Sequence, residues 1–187
     1  MLLLVVGIPL VIMYAWYVGL IGKKNRALEA LSTIDVQLKQ RLDLVPNILK
    51  IANKFMEHEK SLLTEITALR ENASQPYDKN DAASVQAHLK AAGALSGKMG
   101  TLMMNVENYP TLKSDQTMLQ AMQTYNEVEA QITAARRFYN SSVTELNNAV
   151  EIFPGNIIAG MAGVKAMPFF EAEEAARAAV DASQYLK

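Results

Sequence analysis

The fold class this sequence predicts is all-α, with a single N-terminal transmembrane helix followed by an elongated antiparallel helical bundle and short C-terminal helices. Three observations predict it. Residues 1–22 carry no charged side chain, and Lys23, Lys24 and Arg26 follow at once. Beyond them, apolar residues recur at spacings of three and four along most of the chain, which is the period of an amphipathic helix. No stretch of useful length alternates with the period of two that a half-buried strand requires. With 187 residues, 50% of them hydrophobic, the chain holds one anchor and one core rather than two ordinary domains. There is no internal repeat and no low-complexity tail.

The first element is the anchor, residues 1–24. A 22-residue helix rises about 33 Å, close to the thickness of a hydrocarbon layer. A cleaved signal peptide and a buried core helix are the competing readings. The apolar run has no basic residue before it and no small-x-small cleavage pattern, which favours the anchor. Gly7 and Pro9 are tolerable at lipid depth, and Tyr14, Trp16 and Tyr17 stand where an interfacial aromatic belt would. Lys23, Lys24 and Arg26 flank only the C-terminal side. They are expected to meet anionic membrane lipid and, by the positive-inside rule, to leave the N-terminus outside and the C-terminal domain cytoplasmic.

Charge and cysteine narrow the partners. Without those three bases the chain carries about −4, so nucleic acid is not an expected partner. Cysteine is absent, which excludes disulfides, thiolate metal sites and a thiol nucleophile.

The bundle is expected over residues 25–155. Its organising stretch is residues 32–49, where Leu28, Leu31, Leu38, Leu42, Val45, Leu49, Ala52 and Met56 share one face and Asp35 interrupts it. A carboxylate there needs a donor or water. Leu62, Leu63, Ile66 and Leu69 extend the pattern, so a continuous helix over 25–72, kinked at Pro46, is expected; Val45 would cap a new helix poorly. Residues 73–81, rich in Ser, Pro, Asp and Asn, read as a loop.

A second bundle helix is expected over 81–108, with Val85, Leu89, Ala92, Leu95, Met99, Leu102 and Val106 on its apolar face. Gly93, Gly97 and Gly100 weaken it locally and imply close packing against a neighbour. Tyr109 and Pro110 turn the chain, and Ser114 or Asp115 can cap a third helix over 115–152. Pro154 and Gly155 stop that helix. Residues 156–187 then form an apolar segment and, after Pro168, a C-terminal helix, docking on the bundle or on neighbouring subunits.

Five pieces, in this order, carry a resemblance: IDVQLKQRLDLVPNIL at 34–49, EHEKSLL at 57–63, ENYPTLKSD at 107–115, ARRFYNSSVTELNNAVEIFPGNIIA at 135–159 and PFF at 168–170. Together they resemble the LemA family over nearly the whole chain. Leu146 stands at the first place of what often reads there as a second Tyr-Asn pair, and Val164 where an aromatic is common. The resemblance implies an elongated antiparallel helical domain tethered to a bacterial inner membrane, and it implies no established reaction. It also implies association with membrane proteins such as a membrane metalloprotease or a TPM-domain protein, hence a part in envelope maintenance.

Chemistry-bearing patterns are few. On the third helix Asn126, Glu129, Thr133, Arg136, Asn140 and Asn147 share a face, and Asp35, Gln37 and Arg41 of the first helix are expected to meet it. Such a layer either fixes helix register or receives a small molecule or extended peptide. No metal site is expected, because Glu57, His58 and Glu59 splay around a helix and His88 has Val85 where a Glu-x-x-His pair needs an acid. No phosphate loop, nucleophile elbow or zinc-protease signature occurs, so neither a hydrolase nor a cofactor is expected. Met99, Met103, Met104, Met118 and Met122 gather at one end of the bundle, as core filling or as an adaptable surface. The leading expectation is a membrane-tethered, non-enzymatic scaffold that self-assembles or presents a surface to membrane-protein partners, with a binding or sensing module as the alternative and a hydrolase or metalloenzyme as a less favoured third.

Overall fold

The computed structural model describes residues 2–171. Their elements are α1 (Leu2–Ala52), a 3₁₀ turn (Glu57–Glu59), α2 (Lys60–Ala73), α3 (Ala82–Val106), α4 (Pro110–Lys113), α5 (Gln116–Glu151) and α6 (Gly155–Ala162). No strand occurs among the described residues. The all-α class follows.

Helices α1, α2, α3 and α5 alternate in direction. Lys23 reaches Glu145 at 3.4 Å, and eighteen residues further along α1 Arg41 meets Glu129 at 3.0 Å, so α1 and α5 run antiparallel. Helix α2 returns beside α1, bringing the Arg70 side chain to the Leu42 carbonyl oxygen at 2.8 Å. Helix α3 descends again, with Lys98 pairing with Glu65 at 3.0 Å. Asp81 caps α3 by accepting from the Ser84 N–H at 2.8 Å, and Asp115, one of the two expected caps, accepts from the Met118 N–H at 2.9 Å at the start of α5.

The first long helix differs from its expectation. It runs through Pro46 but ends at Ala52, and the chain reverses over 53–59 instead of continuing to residue 72. Tertiary burial decides this. Met56 is fully buried in the turn, among Ala52, Leu63 and Leu102, and folding α2 back lets Leu62, Leu63 and Ile66 bury against α3. The buried stripe of α1 is Leu31, Ile34, Leu38, Arg41, Val45, Ile48 and Ala52. Arg41 lies in its middle, and Asp35 lies at its edge.

Two apolar clusters fill the interior. One joins Leu31, Leu38, Leu89, Ile132, Tyr139 and Ile158. The other joins Val45, Met56, Ile66, Met99, Leu112 and Met118 at the far tip. Met103 and Met122 pack on that tip cluster while Met104 is exposed, so most of the methionine group is core. Gly100 has open space around it, so the close approach expected for the α3 glycines does not occur there. It occurs at Gly155, where a Cβ would stand 2.1 Å from the Ala149 carbonyl oxygen. Gly163 ends α6 with φ 64°, in the left-handed region that favours glycine.

No helix among the described residues is long and apolar enough to cross a membrane. The expected anchor, 1–24, falls partly outside them, because Met1 and the side chains of residues 2–6 are not described. Residues 8–19 are exposed throughout, and Leu20 is the first buried side chain of α1 among those described. The C-terminal helix expected after Pro168 falls mostly on residues 172–187, outside the described ones, and 169–171 are not helical.

Candidate functional site

The polar side chains expected to form one layer occupy three separate places. The deepest lies between the two apolar clusters. Arg41, 2% exposed, extends from α1 toward α5 and α3; one terminal nitrogen meets Glu129 Oε1 at 3.0 Å and the other donates to the Ala92 carbonyl at 2.7 Å. Ser96 donates to Glu129 Oε2 at 3.3 Å. Three helices are thus joined through one guanidinium. Burial first, and then the Glu129 charge, push the neighbouring Tyr125 phenol well above its ordinary range. Gln37 Oε1, Arg41 Nε and the Tyr125 hydroxyl are buried here without a protein partner. The Arg41 charge, taken out of water, is balanced by Glu129, whose own side chain is about a quarter exposed.

Asp35 belongs to a second group and does not reach α5. Its carboxylate accepts from the Tyr77 hydroxyl at 2.8 Å and pairs with Lys79 at 2.6 Å, both from the loop between α2 and α3. His88 of α3 stacks on Tyr77 with ring centroids 4.0 Å apart, and its Nε2 stands 3.6 Å from Asp35 Oδ1. Burial pushes the Asp35 carboxyl up, but the groups offered by His88, Lys79 and Tyr77, with the Lys79 charge, outweigh it and hold its pKa below the usual carboxylate value. Burial, followed by the Asp35 carboxylate, raises the Tyr77 phenol.

The third place is an extended strap, residues 164–171, lying on α5. Asn147 donates to the Met167 carbonyl and accepts from the Met167 N–H, each at 2.9 Å. One heptad earlier Asn140 does the same to Phe170, at 3.0 and 2.9 Å. The Tyr139 hydroxyl donates to the Pro168 carbonyl at 2.7 Å, and the Arg136 guanidinium lies 5.8 Å from the Phe170 ring centre. These side-chain amides supply the backbone partners that an extended segment would otherwise seek in a sheet. Asn126 joins none of the three groups and is exposed on an open face of α5 with Gln123 and Glu127. Tyr77, Lys79, His88 and Ser96 are site residues that the sequence reading does not reach; the aromatic-acid-cation run at 77–79 is the available signal for the first two.

At the projecting end, Tyr14, Trp16 and Tyr17 are exposed. Lys23 and Arg26 both face Glu145, at 3.4 and 3.6 Å, so α5 meets part of the basic cluster. Among the described residues no group of three or more His, Asp or Glu side chains could hold a metal ion.

The model of the LemA family matches residues 30–183 of the chain. The protein named LemA from Metamycoplasma hominis is 26% identical over 178 residues, covering 92% of this chain and 78% of that protein. Magnetosome protein MamQ 2 of Paramagnetospirillum magneticum is 32% identical over 90 residues, 48% of this chain and 33% of its own length. MamQ of Magnetospirillum gryphiswaldense is 30% identical over 95 residues, 51% and 35% respectively. The aligned part thus spans about a third of the length of the MamQ relatives.

Proposed function

This chain belongs to the LemA family, and from that premise we propose that it is a non-enzymatic helical scaffold tethered to a bacterial inner membrane by its N-terminal helix, with the bundle on the cytoplasmic side. One observation carries the reading. Ile8, Leu10, Val11, Ile12, Tyr14 and Val18 are all more than half exposed, and Met13, Trp16 and Tyr17, which complete the circuit, are 40–45% exposed, on a helix that continues unbroken into a closed core. A helix apolar all round is stable only in apolar surroundings, and among the described residues nothing covers the first six of these side chains. The uncharged run containing it is 22 residues long, which suits a bilayer.

The rest of the molecule supports positioning rather than catalysis. Its conspicuous polar groups tie one part of the fold to another: Arg41 of α1 to Glu129 of α5, Asp35 to Lys79 of the loop, Asn147 to the backbone of the strap. Anchoring confines the bundle to two dimensions and raises its effective concentration, so weak lateral contacts between copies, or with membrane proteins such as a metalloprotease or TPM-domain protein, suffice for assembly. A second reading, capture of an extended peptide, draws on the asparagine pair, which already holds an extended segment by its backbone.

Mass photometry of the full chain in native lipid particles tests the scaffold. Discrete species of several copies are expected. A strict monomer at every concentration would contradict self-assembly and favour peptide capture or an adaptor role.

A further inference from the structure

The apolar exposure of this molecule is not confined to α1. Ile152 and Phe153, in the turn after α5, are 60% and 73% exposed, and Ile157 and Met161 of α6 are 55% and 74% exposed. Ile157 and Met161 are four residues apart and share one helical face, while Ile158 and Ala159 on the other face are buried against the bundle. The short helix therefore has an inner apolar face that is satisfied and an outer apolar face that is not.

Its level along α1 identifies what covers that outer face. Gly155 and Ile158 line a cleft with Ala15, Trp16 and Gly19 of α1. Those three residues belong to the uncharged run, four to eight residues before Lys23. At the helical rise they stand about 6–12 Å to the apolar side of the Lys23 level. A segment packed there lies at the depth of an interfacial helix, roughly 5–10 Å below the headgroups. The missing side chain of Gly155 permits this position, since a Cβ there would meet the Ala149 carbonyl oxygen. Lys165, exposed just beyond α6, adds a positive charge for anionic headgroups.

We infer that α6 and the preceding turn form a second membrane-binding site, a wedge of Ile152, Phe153, Ile157 and Met161 that enters the bilayer beside the exit of α1. Its ligand is the lipid surface itself. The inference rests on the anchored reading of α1 and adds to it a fixed attitude: α1 alone leaves the bundle free to tilt and to turn about the helix axis, whereas a second contact on an adjoining element fixes both.

The native absence of cysteine allows a direct test with the full chain. Single cysteines at Ile12, Ile157, Met161 and, at the far tip, Met104 are labelled with an environment-sensitive fluorophore. The proteins are reconstituted in phosphatidylcholine–phosphatidylglycerol vesicles containing lipids brominated near the headgroup end of the acyl chain. All four positions are exposed, so labelling leaves the core intact. Positions 157 and 161 are expected to be quenched together with 12, and 104 to be unaffected. Quenching at 12 alone would overturn the wedge, point to a second copy or another protein as the cover of α6, and leave the anchor standing. Quenching at none would overturn both.

Discussion

Arg70 donates its Nε–H to the carbonyl oxygen of Leu42 at 2.8 Å, and Leu42 is the residue whose carbonyl Pro46, lacking an N–H, leaves without its helical donor. A defect inside α1 is thereby satisfied from α2. This relationship accounts for Pro46 within an unbroken helix, and it locks the hairpin that the apolar pattern alone did not announce. Arg70→Ala is expected to lower stability in urea by about 1–2 kcal/mol, and by clearly less when Pro46→Ala has restored the intrahelical donor. Equal losses in both backgrounds would separate the arginine from the proline.

Arg41→Met leaves the Glu129 carboxylate, one quarter exposed, without its cation, and removes the bond to Ala92. A loss of about 2–4 kcal/mol is expected, discounted for the partial exposure of Glu129. Adding Glu129→Leu should recover part of it, because the stranded charge is then gone. A double variant no better than the single, in a chemical-denaturation cycle, would show that the arginine acts through packing alone.

For Asp35 the direction of the pH effect follows from its lowered pKa. The folded state holds the proton more weakly than the unfolded state, whose ordinary value is 3.8, so the stabilisation is complete above that pH and is lost as the pH falls through the folded value. Asp35→Asn should cost about 1–2 kcal/mol at neutral pH and progressively less in acid. A constant difference from pH 7 to pH 2 would count against the Lys79 and Tyr77 partnership.

Asn147 holds both backbone groups of Met167. Asn147→Ala is therefore expected to speed hydrogen exchange at the Met167 amide about tenfold or more, the equivalent of 1.4 kcal/mol of lost protection. Asn147→Asp keeps the acceptor and should retain most of that protection. Indifference of the Met167 amide to both changes would mean that the strap is held elsewhere.

Much of this architecture is legible in sequence because helical periodicity is a local property. The apolar face containing Val85, Leu89, Leu95 and Leu102 and the cap at Asp115 both emerge from spacing and residue type. The reversal at 53–59 is not legible in the same way. No side-chain cap marks its 3₁₀ turn, and the burial of Met56 that stabilises it requires α3 to be present already. Asp35 interrupts the leucine row, yet the charged side chain in the core is Arg41, whose depth shows only when Ile34 and Ile48 are counted on the stripe. Asn140 and Asn147 share a helix face as their spacing requires, but that they grip a segment returning from beyond α6 depends on tertiary structure that no local period encodes.

The central claim, that the exposed apolar end of α1 is seated in a bilayer, is tested most directly by alkaline carbonate extraction of membranes carrying the full chain, beside the same chain without residues 1–26. The full chain should stay with the membrane pellet. The shortened chain should be released, since the contact at α6 is shallow and reversible. Release of the full chain by carbonate would contradict the anchor and leave the apolar helix to be covered by other proteins.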